Sequence, residues 1–200
     1  MKNKKQRGYN LQLDSPIGNF AKGKMSAPEF DFMGRGAAWW LWKAEELHRM
    51  ATLGVQAHYA DCEERRPFFA KRDFTGYVLK PSTLKVAFFL AALAIENLLK
   101  GSLVKEHPEY IKDGKFRGEI ISSHNLIKIA RDANISLDAG EASFCELGTE
   151  AISTFGRYPV AKNVTDDSLA AVQPTFFEIY DRLRGKLEQL IMTKPSKKKK

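Results

Sequence analysis

Residues 82–106 read STLKVAFFLAALAIENLLKGSLVKE. From Val86 to Ile95 this stretch carries no charged or strongly polar side chain. Ala87, Leu90, Ala91, Ala94, Ile95, Leu98 and Leu99 recur at three- and four-residue steps, as one face of a helix requires. Phe88, Phe89 and Leu93 cover most of the other side. A helix apolar nearly all round is enclosed either by protein or by lipid. The uncharged run is about half the ~20 residues that a bilayer span needs. The stretch therefore reads as the central, surrounded helix of a bundle, with no membrane segment expected.

On the N-terminal side, residues 1–36 mix Lys, Gly, Asn, Ser and Pro with isolated hydrophobes such as Leu11, Leu13, Ile17 and Phe20. They read as a flexible basic arm that ends at Gly34 and Gly36. A first helix is expected over about residues 37–64, with Trp40, Ala44, Leu47, Ala51, Val55 and His58 as its inner stripe. Trp39 and Trp42 fall beside that stripe. Three tryptophans in four positions suit a base-stacking platform, or an anchor on the bundle or on a partner subunit. Residues 64–82 read as a long connection, because Pro67, Gly76 and Pro81 oppose one continuous helix. Arg65, Arg66, Lys71 and Arg72 make it the most basic part of the body. It is a candidate phosphate contact or simply a solvated loop.

On the C-terminal side the central helix is expected to stop near His107-Pro108. The segment EYIKDGKFRGEIIS, with Gly114 and Gly118, suits a short hairpin. Ser123 then reads as the N-cap of a third helix, with His124 as its first helical residue. A fourth helix is expected from Asp138 to about Thr154, stopped by Gly156 and followed by Arg157-Tyr158-Pro159. A fifth starts at Pro174 and runs to about Thr193 on a stripe that includes Phe176, Tyr180, Leu183, Leu187 and Ile191. No strand-period segment of any length appears. The expected fold is all-α, an up-and-down bundle of about five helices over residues 37–193. A lysine-rich tail over 194–200 follows.

The formal net charge is +8. Residues 1–24 carry +5 of it and residues 194–200 another +5, which leaves the body at −2. Overall basicity is therefore no argument that the fold itself grips phosphate. The closing KPSKKKK suits a nuclear address or a solvated tail with non-specific affinity for RNA or anionic surfaces. Cys62 and Cys145 show no paired spacing, and His48, His58, His107 and His124 form no metal-ligand pattern. Neither a disulfide framework nor a metal nor a cofactor is expected, and a reducing cytoplasm fits best. No apolar segment follows the basic N-terminus, so no secretory signal is expected.

Three pieces in order carry a family resemblance. AIENLLKGSLV on the central helix contains Glu96 and Lys100 in an E-x-x-x-K pattern. His124-Asn125-Leu126 opens the following helix. Arg157-Tyr158-Pro159 ends the fourth. Together these resemble the HEPN superfamily of small helical domains, over roughly residues 37–192, in the variety found beside small nucleotidyltransferases. The resemblance implies one of three functions. Some members are metal-independent ribonucleases, often in toxin–antitoxin or antiphage systems, using Arg and His brought together across a dimer. Others bind a nucleotide or RNA, or position it for a partner nucleotidyltransferase. Others are interaction modules without catalysis.

Arg117 and His124, separated by six residues, formally fit the ribonuclease spacing. The family's Arg is usually followed by a polar residue on a helix, whereas Gly118 follows here. Metal-free RNA cleavage needs a group to take the 2′-hydroxyl proton and a group to stabilise charge on phosphorus. Histidine suits the first because it titrates near neutrality. Arginine suits the second because its fork is permanently charged. Arg157 would be a second phosphate ligand, and Tyr158 could stack on a base or close the bundle. Glu96 and Lys100 lie one helical turn apart in the favourable order. Buried, they must find partners. Either they line one polar pocket with His124 and Arg157, or they form a polar network that fixes helix register.

The leading expectation is a cytoplasmic, dimeric RNA- or nucleotide-binding module, in a toxin–antitoxin or defence setting. It would bind through Glu96, Lys100, Arg157, Tyr158, Arg65 and Arg66. A nucleotidyltransferase or an antitoxin is the implied protein partner. The first rival is a metal-independent ribonuclease using Arg117 and His124, which requires the two to converge in a dimer groove. The second is a helical interaction domain whose tryptophan-rich first helix leaves apolar surface exposed.

Overall fold

The computed structural model describes residues 25–73, 75–76, 83–155 and 172–193. Its centre is α3, Thr83–Glu106, in which fifteen of 24 residues are buried. Phe88, Ile95, Leu98, Leu99 and Leu103 are wholly inaccessible to solvent. Burying a side chain of that size is worth roughly 1.5–3 kcal/mol, so the driving force for folding is concentrated in this helix. Among the described residues α3 is the one helix long and apolar enough to cross a membrane, and 72% of its most apolar window is buried inside the protein.

The other elements pack around it. They are α1 (Ala27–Arg35), α2 (Ala37–Lys71), a 3-10 turn (Pro108–Tyr110), a hairpin of β1 (Ile111–Lys112) and β2 (Lys115–Phe116), α4 (Glu119–Ser122), α5 (Leu126–Asp132), α6 (Ala139–Glu150), a π turn (Ala151–Phe155) and α7 (Thr175–Met192). The all-α bundle expected from the sequence is the observed class.

Helix α2 runs antiparallel to α3. Its glycine Gly54 lies against Ala87, and Trp40 lies against Gly101 at the other end. A Cβ on Gly54 would come within 2.9 Å of Ala87 Cβ, and one on Gly101 within 2.8 Å of Trp40 Cβ. Small residues on both helices thus permit a close approach along four turns. Helix α7 lies parallel to α3, with Phe176 edge-on to Phe88 at 5.8 Å and Ile191 beside Gly101. Helix α6 closes the remaining side through Phe144, 5.1 Å from Phe88 and 6.0 Å from Tyr180.

The structure differs from the sequence expectation at four places. Residues 27–35, read as part of a flexible arm, form α1. Its capping box pairs Ser26 with Glu29, the Ser26 hydroxyl accepting from Glu29 N and the Glu29 carboxylate accepting from Ser26 N. Asp31 on α1 accepts from the backbone N–H groups of Asp113 and Gly114 at 2.9 and 2.8 Å. These are the two positive-φ residues of the hairpin turn, a conformation that Asp-Gly supplies readily. Arg35 Nε donates to Ile111 O at 2.6 Å. Side chains of the helix thus satisfy open backbone groups of the hairpin. Residues 1–24 lie outside the described residues.

The second difference is the length of α2, which passes through Pro67 to Lys71 rather than ending near Glu64. Pro67 is exposed, so the carbonyl it deprives of a donor can bond to water. The helix stops where Arg72 takes the left-handed conformation, with φ 52°. Arg65 and Arg66 are therefore helical rather than loop residues. The third difference is at α5. Its N-cap is Asn125, whose side chain accepts from Lys128 N at 2.8 Å. Ser123 is extended, with ψ 151°, and its hydroxyl accepts from Asn125 N. His124 therefore precedes the helix instead of opening it. Fourth, α6 ends at Glu150 and the chain widens into the π turn rather than continuing as α-helix to Thr154.

Candidate functional site

Glu96 and Lys100 occupy successive turns of α3. Their side chains are each only 8% exposed, and Lys100 Nζ lies 2.6 Å from Glu96 Oε1. A buried ion pair survives only with good geometry and further hydrogen bonds, and His124 supplies these. Its Nδ1 sits 3.2 Å from Glu96 Oε1 and 3.1 Å from Oε2. The local sequence puts it there. Ile120 and Ile121 on α4 and Leu126 on α5 are all buried, so both flanks of His124 are pinned. Thr149 on α6 locks the start of α5, its hydroxyl accepting from Leu126 N at 3.0 Å and donating to Cys145 O at 2.8 Å. Between these anchors the chain is extended, and the imidazole reaches back to α3 with its side chain 44% exposed.

The chemistry of the partners fixes the tautomer. An ionised carboxylate only accepts, so the proton shared with Glu96 belongs to His124 Nδ1. The lone pair then lies on Nε2, which has no hydrogen-bonding partner among the described residues. The result is a half-exposed imidazole, oriented by a buried carboxylate that is itself neutralised by a buried ammonium. Such an imidazole can accept a proton and, once charged, donate one or receive an anion.

Three of the four residues expected around one pocket are therefore together: Glu96, Lys100 and His124. The fourth, Arg157, and its neighbour Tyr158 lie outside the described residues. The π turn Ala151–Phe155 ends just before them, and π turns recur at functional sites. Arg117 is not brought to His124. Its Nη2 lies 3.0 Å from Asp113 Oδ2 and its Nε 3.4 Å from Lys112 O, so both of its bonds return to the hairpin. Glycine at 118, with φ 95°, breaks the chain between Arg117 and α4. The two side chains thus belong to separately anchored units.

Arg65 and Arg66 are not gathered at the corner either. Arg65 Nε donates to Asp61 O at 3.2 Å, and Arg66 Nη2 pairs with Glu63 at 2.6 Å, both within the last turns of α2.

Comparisons of the chain with protein-family models, with curated proteins and with solved structures found no match.

A second polar cluster, which joins α2 to α7, went unread in the sequence. His48 Nδ1 lies 3.0 Å from the Tyr180 hydroxyl, and its Nε2 lies 3.1 Å from Arg184 Nη1. Arg184 Nη2 donates to Glu45 at 3.1 Å. Glu188 Oε1 is 2.8 Å from Arg184 Nε, near enough to pair in charge but off the N–H direction. Burial, followed by the Arg184 charge, holds His48 below its ordinary pKa. Burial raises the Tyr180 hydroxyl and the Glu188 carboxyl. The i, i+3/i+4 spacing of Glu45, His48 and Arg49 was visible. The partner helix, 130 residues on, was not.

Cys62 is exposed and Cys145 buried, and both are free thiols. Burial pushes the Cys145 thiol up to about 12, which keeps it inert near neutrality. Among the described residues no group of three His, Cys, Asp or Glu side chains could hold a metal ion.

Proposed function

We propose that the chain is a HEPN-type RNA- or nucleotide-binding module, dimeric and cytoplasmic, in a toxin–antitoxin or defence setting. In this reading a ligand phosphate is received at the Lys100–His124 corner. The single observation that supports it is the buried Glu96 carboxylate, which holds Lys100 on one side and a half-exposed imidazole on the other. The arrangement occupies the positions that carry the E-x-x-x-K and His-polar-Leu resemblance. A buried pair serving helix register alone would have no need of an imidazole with an open nitrogen. Trp42, Met50 and Leu53 are each more than half exposed on α2, and apolar surface of that kind suits a contact with a second copy or with an antitoxin or nucleotidyltransferase partner.

The rival, a metal-independent ribonuclease, is favoured by one specific observation. The Glu96–His124 contact leaves the basic lone pair on Nε2, as a general base requires. Its phosphate-stabilising arginine would be Arg157, Arg117 released from its exposed pair with Asp113, or a residue of a second copy.

The test uses purified full-length protein with a mixed RNA pool in EDTA, beside His124→Ala. Retention of RNA or nucleotide without cleavage, weakened in the variant, is the expected result. Cleavage that disappears in His124→Ala would replace the binding reading by the ribonuclease. Neither retention nor cleavage by a well-folded dimer would remove both.

A further inference from the structure

Beside the candidate site, but on a neighbouring face of α3, lies an aromatic cleft. Asn97 follows Glu96 directly, and consecutive helical residues point roughly 100° apart, so the two positions open on different surroundings. The cleft is lined by Met25, Phe30, Trp39, Trp40, Lys43, Asn97 and Phe116, with Met33 and Gly34 behind them, and has a volume of about 190 Å³. Engineered apolar cavities of ~150 Å³ take a benzene ring, so the space suits one bicyclic ring.

The walls come from α1, α2, α3 and β2 and are held in place before any ligand arrives. Trp40 Nε1 donates to Gly34 O at 2.7 Å, and Phe30 meets Phe116 edge-on at 5.3 Å. Trp40 is tilted 45° to Phe116 at 6.2 Å. Rings that meet at an angle leave their faces free for a guest. Phe116 and Met25, each 45% exposed, are apolar groups that such a guest would cover.

Two polar groups give the cleft a preference. Asn97 follows the apolar run of α3 and Glu96. Its Nδ2 is committed to Leu93 O at 2.8 Å, so its Oδ1 remains as an acceptor. Lys43 brings a positive charge. Its Nζ lies 2.9 Å from Glu46 with the two side chains 55% and 42% exposed. Exposed pairs of that kind are weak, and a ligand carboxylate could take the ammonium over.

We infer that this cleft binds a small planar aromatic anion that carries a ring N–H, stacked among Trp39, Trp40 and Phe116, with its N–H on Asn97 Oδ1 and its charge on Lys43. The inference is independent of the proposed RNA or nucleotide site. The probe is indole-3-carboxylate, added to the full chain and followed by the indole N–H resonances of its three tryptophans. The resonances of Trp39 and Trp40 should shift saturably in the millimolar range expected of so small a ligand, and more than that of Trp42, which does not line the cleft. Asn97→Leu and Lys43→Ala should each weaken binding about five-fold, and 1-naphthoate, which lacks the N–H, should bind wild type about five-fold more weakly. Circular dichroism establishes that both variants are folded. Absence of a saturable shift overturns the inference. So does equal affinity of wild type and both variants, or equal affinity for 1-naphthoate.

Discussion

The two histidine clusters of this bundle are built from similar parts and end differently. His48 joins α2 to α7 and spends both ring nitrogens on protein partners, Tyr180 and Arg184. His124 gives one nitrogen to Glu96, and its other has no partner among the described residues. A closed network is what helix packing requires, since every unmet polar group in a core carries a penalty. An open nitrogen beside solvent, aimed by a buried carboxylate, serves packing poorly and serves a ligand well. On the proposed reading the first cluster serves stability and the second a ligand, and the contrast can be broken from either end.

The largest effect should come from the buried pair beneath His124. Glu96→Leu strands the Lys100 ammonium at 8% exposure and should cost about 3–5 kcal/mol in urea unfolding. Adding Lys100→Met should restore most of that loss, because two apolar side chains of similar volume need no partners. The double variant should still fail to retain RNA or nucleotide. If the single and double variants unfold together, the pair is not buried as described.

A smaller loss is expected at the closed cluster. Tyr180→Phe removes the hydroxyl that meets His48 and leaves a half-buried ring nitrogen unsatisfied, for about 1–3 kcal/mol. Ligand retention should be unchanged. A variant that lost binding while keeping its stability would contradict the division between the clusters.

The same cluster predicts a pH dependence. Arg184 is a permanent donor, so His48 Nε2 must present its lone pair and the ring must be neutral. Its pKa is lowered in the fold by burial and by Arg184, against the opposing pulls of Glu45 and Asp181, with Arg49 adding to the lowering. The folded state therefore binds fewer protons than the unfolded one. The contribution is fully present above the ordinary value of 6.5 and is lost as pH falls below it towards the folded value. Urea midpoints measured between neutral and mildly acidic pH should fall less steeply in His48→Gln than in wild type. Parallel lines would show that His48 does not titrate on unfolding.

What could be read in advance divides along similar physical lines. The apolar periodicity of α3 is a local property, and it gave the helix, its central position and the all-α class. The i, i+4 spacing of Glu96 and Lys100 is also local, as is the short hairpin suggested by Gly114 and Gly118. The α1 capping box, Ser26 to Glu29, was equally local and was overlooked because the surrounding composition resembled an arm. Pro67, with Gly76 and Pro81, reads as opposing a continuous helix, because the sequence does not say whether the carbonyl a proline frees is buried. The Asp31 clamp on the hairpin and the tie between His48 and α7 depend on chain contacts more than 80 residues apart, and no spacing rule reaches them. The separation of Arg117 from His124 belongs with these. Six intervening residues are compatible with convergence, and within one copy the Asp113 ion pair and the break at Gly118 turn Arg117 to the hairpin instead.

The sharpest test is the smallest in energy. His124 is nearly half exposed, and its removal leaves Glu96 still paired with Lys100. His124→Ala should therefore change stability by less than about 1 kcal/mol in urea unfolding, well under the loss at Tyr180. Yet the same substitution should abolish most retention of RNA or nucleotide, and any cleavage with it. His124→Asn separates positioning from chemistry. Its amide can still donate to the Glu96 carboxylate but has no group that titrates near neutrality. If His124→Asn binds as wild type does, the imidazole contributes shape and a hydrogen bond. If binding in wild type strengthens at acidic pH and stays flat in the Asn variant, the contribution is a positive charge on the ring facing a phosphate. A large loss of stability in His124→Ala would place this cluster beside the closed one, as a structural joint whose open nitrogen has no use.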